Sequence, residues 1–239
     1  MMNDPGPSQY ENRRNAEKGN VFFIIFIGIA LFATLSYAVA NMLREGNPDV
    51  ITREKAGLNA DEILDYARTI RQAAQTLRIN GCADTEISFS MAAGDAYEHS
   101  PDVRDECKIF HPSGGGITPQ AQGPGGASWF FQGGTQVFNV GSNGAAADNG
   151  ELMIYIQVGS DMICDYLNRK MNVAEDIDAG TFPQTTPLQP KFKGAYDAAG
   201  VIGDTVAPGA NGQLAACLDY SGAMTPPPES LFYQVLVAR

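Results

Sequence analysis

Histidine and tryptophan are nearly missing from this chain, with two His and one Trp in 239 residues. A hydrolytic triad would have to use His99 or His111 as its base, and no Gly-x-Ser-x-Gly elbow supplies a nucleophile. The four cysteines, Cys82, Cys107, Cys164 and Cys217, contain no CxxC pair and have only those two histidines to join them, which argues against a zinc site. Basic residues are also few: 16 Lys and Arg stand against 27 Asp and Glu, a net charge of −11. Segment 43–81 is balanced, so the whole excess falls in residues 82–239, which excludes nucleic acid as a partner of that part. The Gly run after His111-Pro112, Ser113 to Gly116, has no Lys-Ser/Thr behind it and reads as a flexible turn rather than a phosphate cradle. Asp95, Glu98, Asp102, Asp105 and Glu106 lack the alternating spacing and central Gly of a calcium loop and read as a solvated loop. No catalytic group, cofactor or metal is expected, and the chain does not read as an enzyme.

Against that background stands one long apolar run. Val21 to Met42 passes twenty-two residues without a charge, enough at about 1.5 Å per residue to cross a hydrocarbon core of about 30 Å. Residues 1–20 form a polar leader with Pro5, Gly6 and Pro7, and its charges cancel. Basic residues flank the run about equally on both sides, so orientation rests on the cysteines and Gly/Pro-rich loops after it, which suit an oxidising compartment. The expectation is a single membrane span, with the leader cytoplasmic and the rest of the chain on the non-cytoplasmic side. Ala38-Val39-Ala40 also fits a signal-peptidase site, which would release a chain starting at Asn41.

After a short joint containing Gly46 and Pro48, the period becomes helical. Ala56, Ala60, Ile63, Ala67, Ile70, Ala74 and Leu77 form one apolar stripe, with Arg68 and Arg71 off it. Asn59 with Glu62 reads as a capping-box variant, and Asn80-Gly81 as the stop. Residues 43–81 are therefore an amphipathic stalk helix, laid on its own domain or shared as a seam with other copies.

Residues 82–239 read as one mainly antiparallel-β head. Glu86–Met91 and Cys107–Phe110 are candidate strands, WFFQ-GG-TQVFNV (129–140) a hairpin, and Glu151–Val158 a buried strand. Ser160 caps an amphipathic helix over Asp161–Met171, residues 172–213 make a long Pro/Gly-rich excursion, and Leu231–Val237 closes the chain as a strand. Two disulfides are expected; four cysteines allow three pairings, of which Cys82–Cys107 with Cys164–Cys217 is the local one. The fold class is thus α+β: a transmembrane helix continuing into an amphipathic helix, then a disulfide-bonded globular head.

Leader, apolar helix, amphipathic continuation and disulfide-bearing β head together resemble a type IV pilin or pseudopilin. Glu17-Lys18-Gly19 before the apolar run resembles a prepilin peptidase junction, placing a processing site between Gly19 and Asn20. GNVFFIIFIGIALFATLSYAV, CKIFHPSGGG, ICDYLNRKM and FYQVLVAR are similar to segments of a group of alphaproteobacterial pilin-like proteins without an assigned activity. Counted from Asn20, the fifth position is Ile24, where pilins carry glutamate. The resemblance implies a structural or interaction subunit, held by a single span in the bacterial inner membrane with its head periplasmic or extracellular, whose partners are the membrane and other pilin-like subunits or envelope proteins. The alternative is an anchored or secreted periplasmic ligand-binding module using the Gly-rich loops at 112–150, its ligand unspecified.

Overall fold

The structure is a computed structural model and describes residues 18–44, 48–141, 150–174, 177, 191–196, 200–203, 207–219 and 230–239. Most of the leader, 1–17, and the core of the joint, 45–47, lie outside these residues, as does half of the excursion at 172–213. The chain divides into two compact units, Met1–Thr52 and Arg53–Arg239.

The first unit contains α1, Lys18–Arg44, a helix slightly longer at both ends than the apolar run. Gly19 and Asn20 fall in its first turn. Over Val21–Val39 the mean hydropathy is 2.4 and no side chain is buried. By length and composition this helix can cross a membrane.

Helix α2 runs Pro48–Ile79. Pro48 opens it instead of breaking it, since proline is tolerated in a first turn where its missing N–H would have no partner. Asn59 is consequently interior and caps nothing. The end is a Schellman motif: Gly81, at φ +92°, donates to Arg78 C=O and Cys82 donates to Leu77 C=O, both at 3.0 Å. All seven stripe residues are buried, and Leu64, Tyr66 and Ala73 widen the face. In the second unit the outward side of α2 carries only two exposed large apolar residues, Leu58 and Ile79. The apolar face is therefore spent on the helix's own domain, and from Arg53 onward the described residues of α2 show no second apolar stripe.

Five strands form one sheet: β1 Trp129–Val137, β2 Glu151–Val158, β3 Gly200–Ile202, β4 Ala215–Asp219 and β5 Ser230–Val237, in the spatial order β3-β1-β2-β5-β4. The β1–β2, β2–β5 and β4–β5 pairs are antiparallel, whereas β1–β3 is parallel, so the sheet is mixed. Helix α3, Asp161–Met171, follows β2. Ser160 precedes it without a side-chain cap; its carbonyl instead accepts from Ile163 and Cys164.

The sheet is buried on both faces. Leu152, Ile154, Ile156, Phe232 and Cys217 belong to the core that contains α2 and α3 residues, while Met153, Tyr155, Leu231, Tyr233 and Ala216 face a second core with Val173, Ile202 and Ala210. This explains why β2 reads as an unbroken apolar run.

Three readings of the head need correction. Gly133-Gly134 is no hairpin turn: β1 runs straight through it, and between Gln132↔Met153 and Thr135↔Glu151 it spends one residue more than β2. That is a bulge, and it turns Thr135 and Val137 onto the face of Gln132. A Cβ on Gly133 would come within 2.9 Å of Phe192 and Tyr196, so glycine serves close approach there. Residues 86–91 and 107–110 make no sheet, only an isolated parallel bridge, Ser88↔Lys108. Their apolar residues Ile87, Phe89, Cys107 and Ile109 are nevertheless buried, and Phe89 stacks on Phe131 at 4.1 Å. Finally, Gly114 and Gly115 lie directly against the backbone of 105–109, where no Cβ fits, so this turn is tightly packed and not flexible.

Candidate functional site

The cysteines form two disulfides, Cys82–Cys107 and Cys164–Cys217, and none is free. Each joins a helix to the segment beside it. Cys82 follows the α2 stop and Cys107 ends a short 3-10 turn, whereas Cys164 on α3 reaches Cys217 on the edge strand β4.

In the acidic cluster of the 91–106 loop, Asp95, Glu98, Asp102 and Asp105 are engaged as acceptors. Asp95 takes the N–H groups of Met91, Ala92 and Tyr97, which hold its carboxyl below the usual range against the opposing effect of partial burial. Lys108 Nζ binds Asp102 at 2.8 Å and Asp105 at 2.9 Å, and Glu98 accepts from Gly94. Among the described residues no group of three potential metal ligands comes together. The two histidines lie apart in function as well. His111 Nδ1 accepts from Ser113 N–H, while His99 is buried beside Phe192, where desolvation lowers its pKa. The Gly-rich stretch proposed as a ligand surface is divided among the packed 113–116 turn, a 3-10 turn at Pro124–Gly126, and the core strand β1. Residues 142–149 lie outside the described residues.

Two polar constellations were not foreseen. One is sealed in the second core: Gln132, Thr135, Glu151 and Tyr155 are all buried. Glu151 Oε2 accepts from Val137 N–H at 2.7 Å, Oε1 has no partner, and burial pushes the carboxyl up to about 7. With every member buried, this nest belongs to the core and offers no substrate access.

The other is open. A cleft of about 430 Å³ is lined by Arg68 and Arg71 of α2, Lys170 and Met171 of α3, the approach to β4 at 212–215, and Gln234 of β5. The fold places these groups in steps. The buried stripe sets Arg68 and Arg71, three apart, along one flank of α2. Asp61 pairs with Lys170 at 2.6 Å and ties α3 to α2. Asn172, at φ +57°, turns the chain back after α3, and Val173 N–H donates to Asn168 C=O. Gly212 donates to Phe138 C=O, and Gln213 C=O accepts the hydroxyl of Tyr233, which positions the far wall.

The lining holds three cations and no carboxylate, on a head that is otherwise acidic. Among the described residues neither Arg68 nor Arg71 has an ion-pair partner, and Arg71 Nε is buried without a hydrogen bond. The pair lies off the apolar stripe, and nothing local in the sequence marks it as half of a cleft. No protein-family model matches the chain, and no curated protein and no solved structure is significantly similar to it.

Proposed function

We propose that the protein is an envelope subunit of pilin-like organisation, anchored in the bacterial inner membrane through α1, with its disulfide-bonded head exported to act by contact with other subunits or envelope proteins. The observation that carries this reading is the state of α1: nineteen consecutive apolar-run residues, Val21–Val39, bury nothing within the chain. Left in water, such a surface would be far larger than an ordinary exposed apolar patch, so its working surroundings are hydrocarbon or copies of itself. The disulfides add the compartment, since paired cysteines persist in oxidising surroundings. Ile24 lacks the carboxylate that would neutralise a neighbouring subunit's terminal amine, and an unpaired ammonium in a helix core is costly. The subunit therefore serves in few copies, as a tip or minor component, rather than as the repeating unit of a filament.

A second reading, an anchored ligand-binding module outside any filament, is favoured by the cationic cleft. Membrane extraction at alkaline pH combined with intact-mass measurement separates the two. Retention in the membrane with a chain beginning at Asn20 supports the pilin-like subunit. Retention with an unprocessed leader supports the anchored module. A soluble chain beginning at Asn41 overturns both anchored forms.

A further inference from the structure

The open cleft sits at the edge of the sheet, and the state of that edge indicates what it takes. Strands β4 and β5 pair without a register shift, through Ala215↔Gln234, Cys217↔Phe232 and Asp219↔Ser230. In an antiparallel ladder, alternate residues turn both backbone groups away from their partner strand. On β4 these are residues 215, 217 and 219. The outward groups of Cys217 are both bonded by the side chain of Asn168, and Asp219 N–H donates to Ile177 C=O at 2.8 Å. Ala215 is the remaining one. Its outward N–H and C=O meet no hydrogen-bond partner among the described residues, and it lines the cleft. The protein thus blocks its edge strand at two positions and leaves the third open, in the cleft that Arg68 and Arg71 also line.

We propose that the cleft binds an extended, carboxylate-bearing peptide segment of a partner protein, its main chain paired with Ala215 and its carboxylate held by Arg68 and Arg71. Each part of the lining has a task in this arrangement. The open N–H and C=O supply the strand-addition contact, which reads backbone and is indifferent to sequence. The guanidinium groups, without carboxylate partners among the described residues, offer planar donor sets of the kind that pair with a carboxylate. Val173, which belongs to the core on the other side of the sheet from α2, and Leu214 provide apolar contact for the alternate side chains, which in an extended peptide point away from the acidic ones. Charge complementarity favours such a partner: the head carries an acidic excess overall, whereas the cleft lining holds cations and no carboxylate. This inference rests on the reading of the head as an interaction module and names the chemistry of the partner it meets.

The test uses the full chain in detergent micelles and a blocked hexapeptide alternating glutamate with valine, with its glutamine counterpart and free succinate as comparisons. The glutamate peptide should bind saturably with a Kd below about 1 mM. Its affinity should fall as salt rises from about 50 to about 300 mM, as expected for partly exposed charges. The double variant Arg68→Gln/Arg71→Gln should weaken binding roughly tenfold or more, about 1.4 kcal/mol, while Arg78→Gln, on the same helix outside the cleft, should leave it unchanged. Ala215→Pro removes the outward N–H without touching a ladder bond and should weaken the peptide alone, leaving any residual succinate affinity as it was. Unchanged melting and intact disulfides in each variant show that the fold is kept. Absence of saturable binding, equal binding of the glutamine peptide, succinate matching the peptide, or indifference to the Arg68/Arg71 variant would each overturn the proposal. None of these outcomes alters membrane retention or the N-terminal mass, so the anchored-subunit reading stands or falls separately.

Discussion

The side chain of Asn168 clasps the backbone of Cys217 from both sides: Nδ2 donates to its C=O and Oδ1 accepts its N–H, each at 2.8 Å. A buried carboxamide here does the work of a neighbouring strand, closing part of an edge that would otherwise invite pairing with another chain. Replacing Asn168 with Ala leaves a buried donor and acceptor without partners, and the expected loss is about 2–4 kcal/mol in chemical denaturation of the oxidised protein. Asn168→Asp can still accept the N–H but presents a carboxylate to the carbonyl. It should be at least as damaging at neutral pH and should recover in acid, where a protonated carboxyl can donate again.

The disulfide one turn earlier in α3 holds the same strand. Cys164 and Cys217 are 53 residues apart and Cys82 and Cys107 are 25 apart. In the chain-entropy view, opening them removes roughly 4 and 3.5 kcal/mol respectively through the unfolded state. Alkylation of unreduced protein should label none of the four cysteines, and four reactive thiols in freshly exported protein would overturn both the pairing and the export of the head. Because Asn168 and the Cys164–Cys217 bridge fix the same stretch of β4, the losses from Asn168→Ala and Cys164→Ala/Cys217→Ala should fall short of additive.

What is legible in the sequence is what local period decides. Helix α3 follows from the spacing of its run and the α2 stripe predicts its buried residues, while β2, an unbroken apolar run that a helix turn would also fit, and β5 are short runs bounded by turn residues. Gly133-Gly134 is ambiguous in principle, because a two-residue turn and a bulge both call for small residues that permit close backbone approach. Strands β3, GVI, and β4, AACLD, are short and rich in small residues, and their strand state comes from pairing with β1 and β5. The open cleft is illegible for a related reason. Arg71, Lys170, Ala215 and Gln234 are far apart along the chain and meet only through tertiary packing.

The α2 stripe separates packing from charge. Ile63 and Ile70 are at most 1% exposed, so an aspartate at either position places an unpaired carboxylate in the core. The expected cost is at least about 4 kcal/mol, enough to unfold the head or release it as a proteolytic fragment. Arg68→Ala should cost less than about 0.5 kcal/mol, because its exposed side chain supports no core contact. Equal and small effects at both kinds of position, read by urea denaturation, would mean that α2 is not held through this face.

Glu151 ties stability to pH. Its carboxyl, raised to about 7 by burial, remains protonated in the folded head at pH values where the unfolded chain, with an ordinary value of 4.5, has already ionised. Below about pH 4.5 both states carry the proton and the group contributes no slope. As pH rises from about 4.5 to about 7 the unfolded state releases its proton first, so stability falls through that window by roughly 3 kcal/mol and levels off above it. Nearby Tyr155 and Tyr233 do not interfere, because burial raises both phenols well above their ordinary values. His99 acts in the opposite sense: its depressed pKa makes acidification below the ordinary histidine range destabilising. Comparing wild type with Glu151→Gln cancels the His99 contribution. The difference between the two denaturation curves should grow in favour of the variant as pH rises from 4.5 to 7, since a neutral amide of the same shape can accept from Val137 N–H without ionising. Parallel stability-versus-pH curves would show that Glu151 titrates normally in the fold and that the nest around it is solvated.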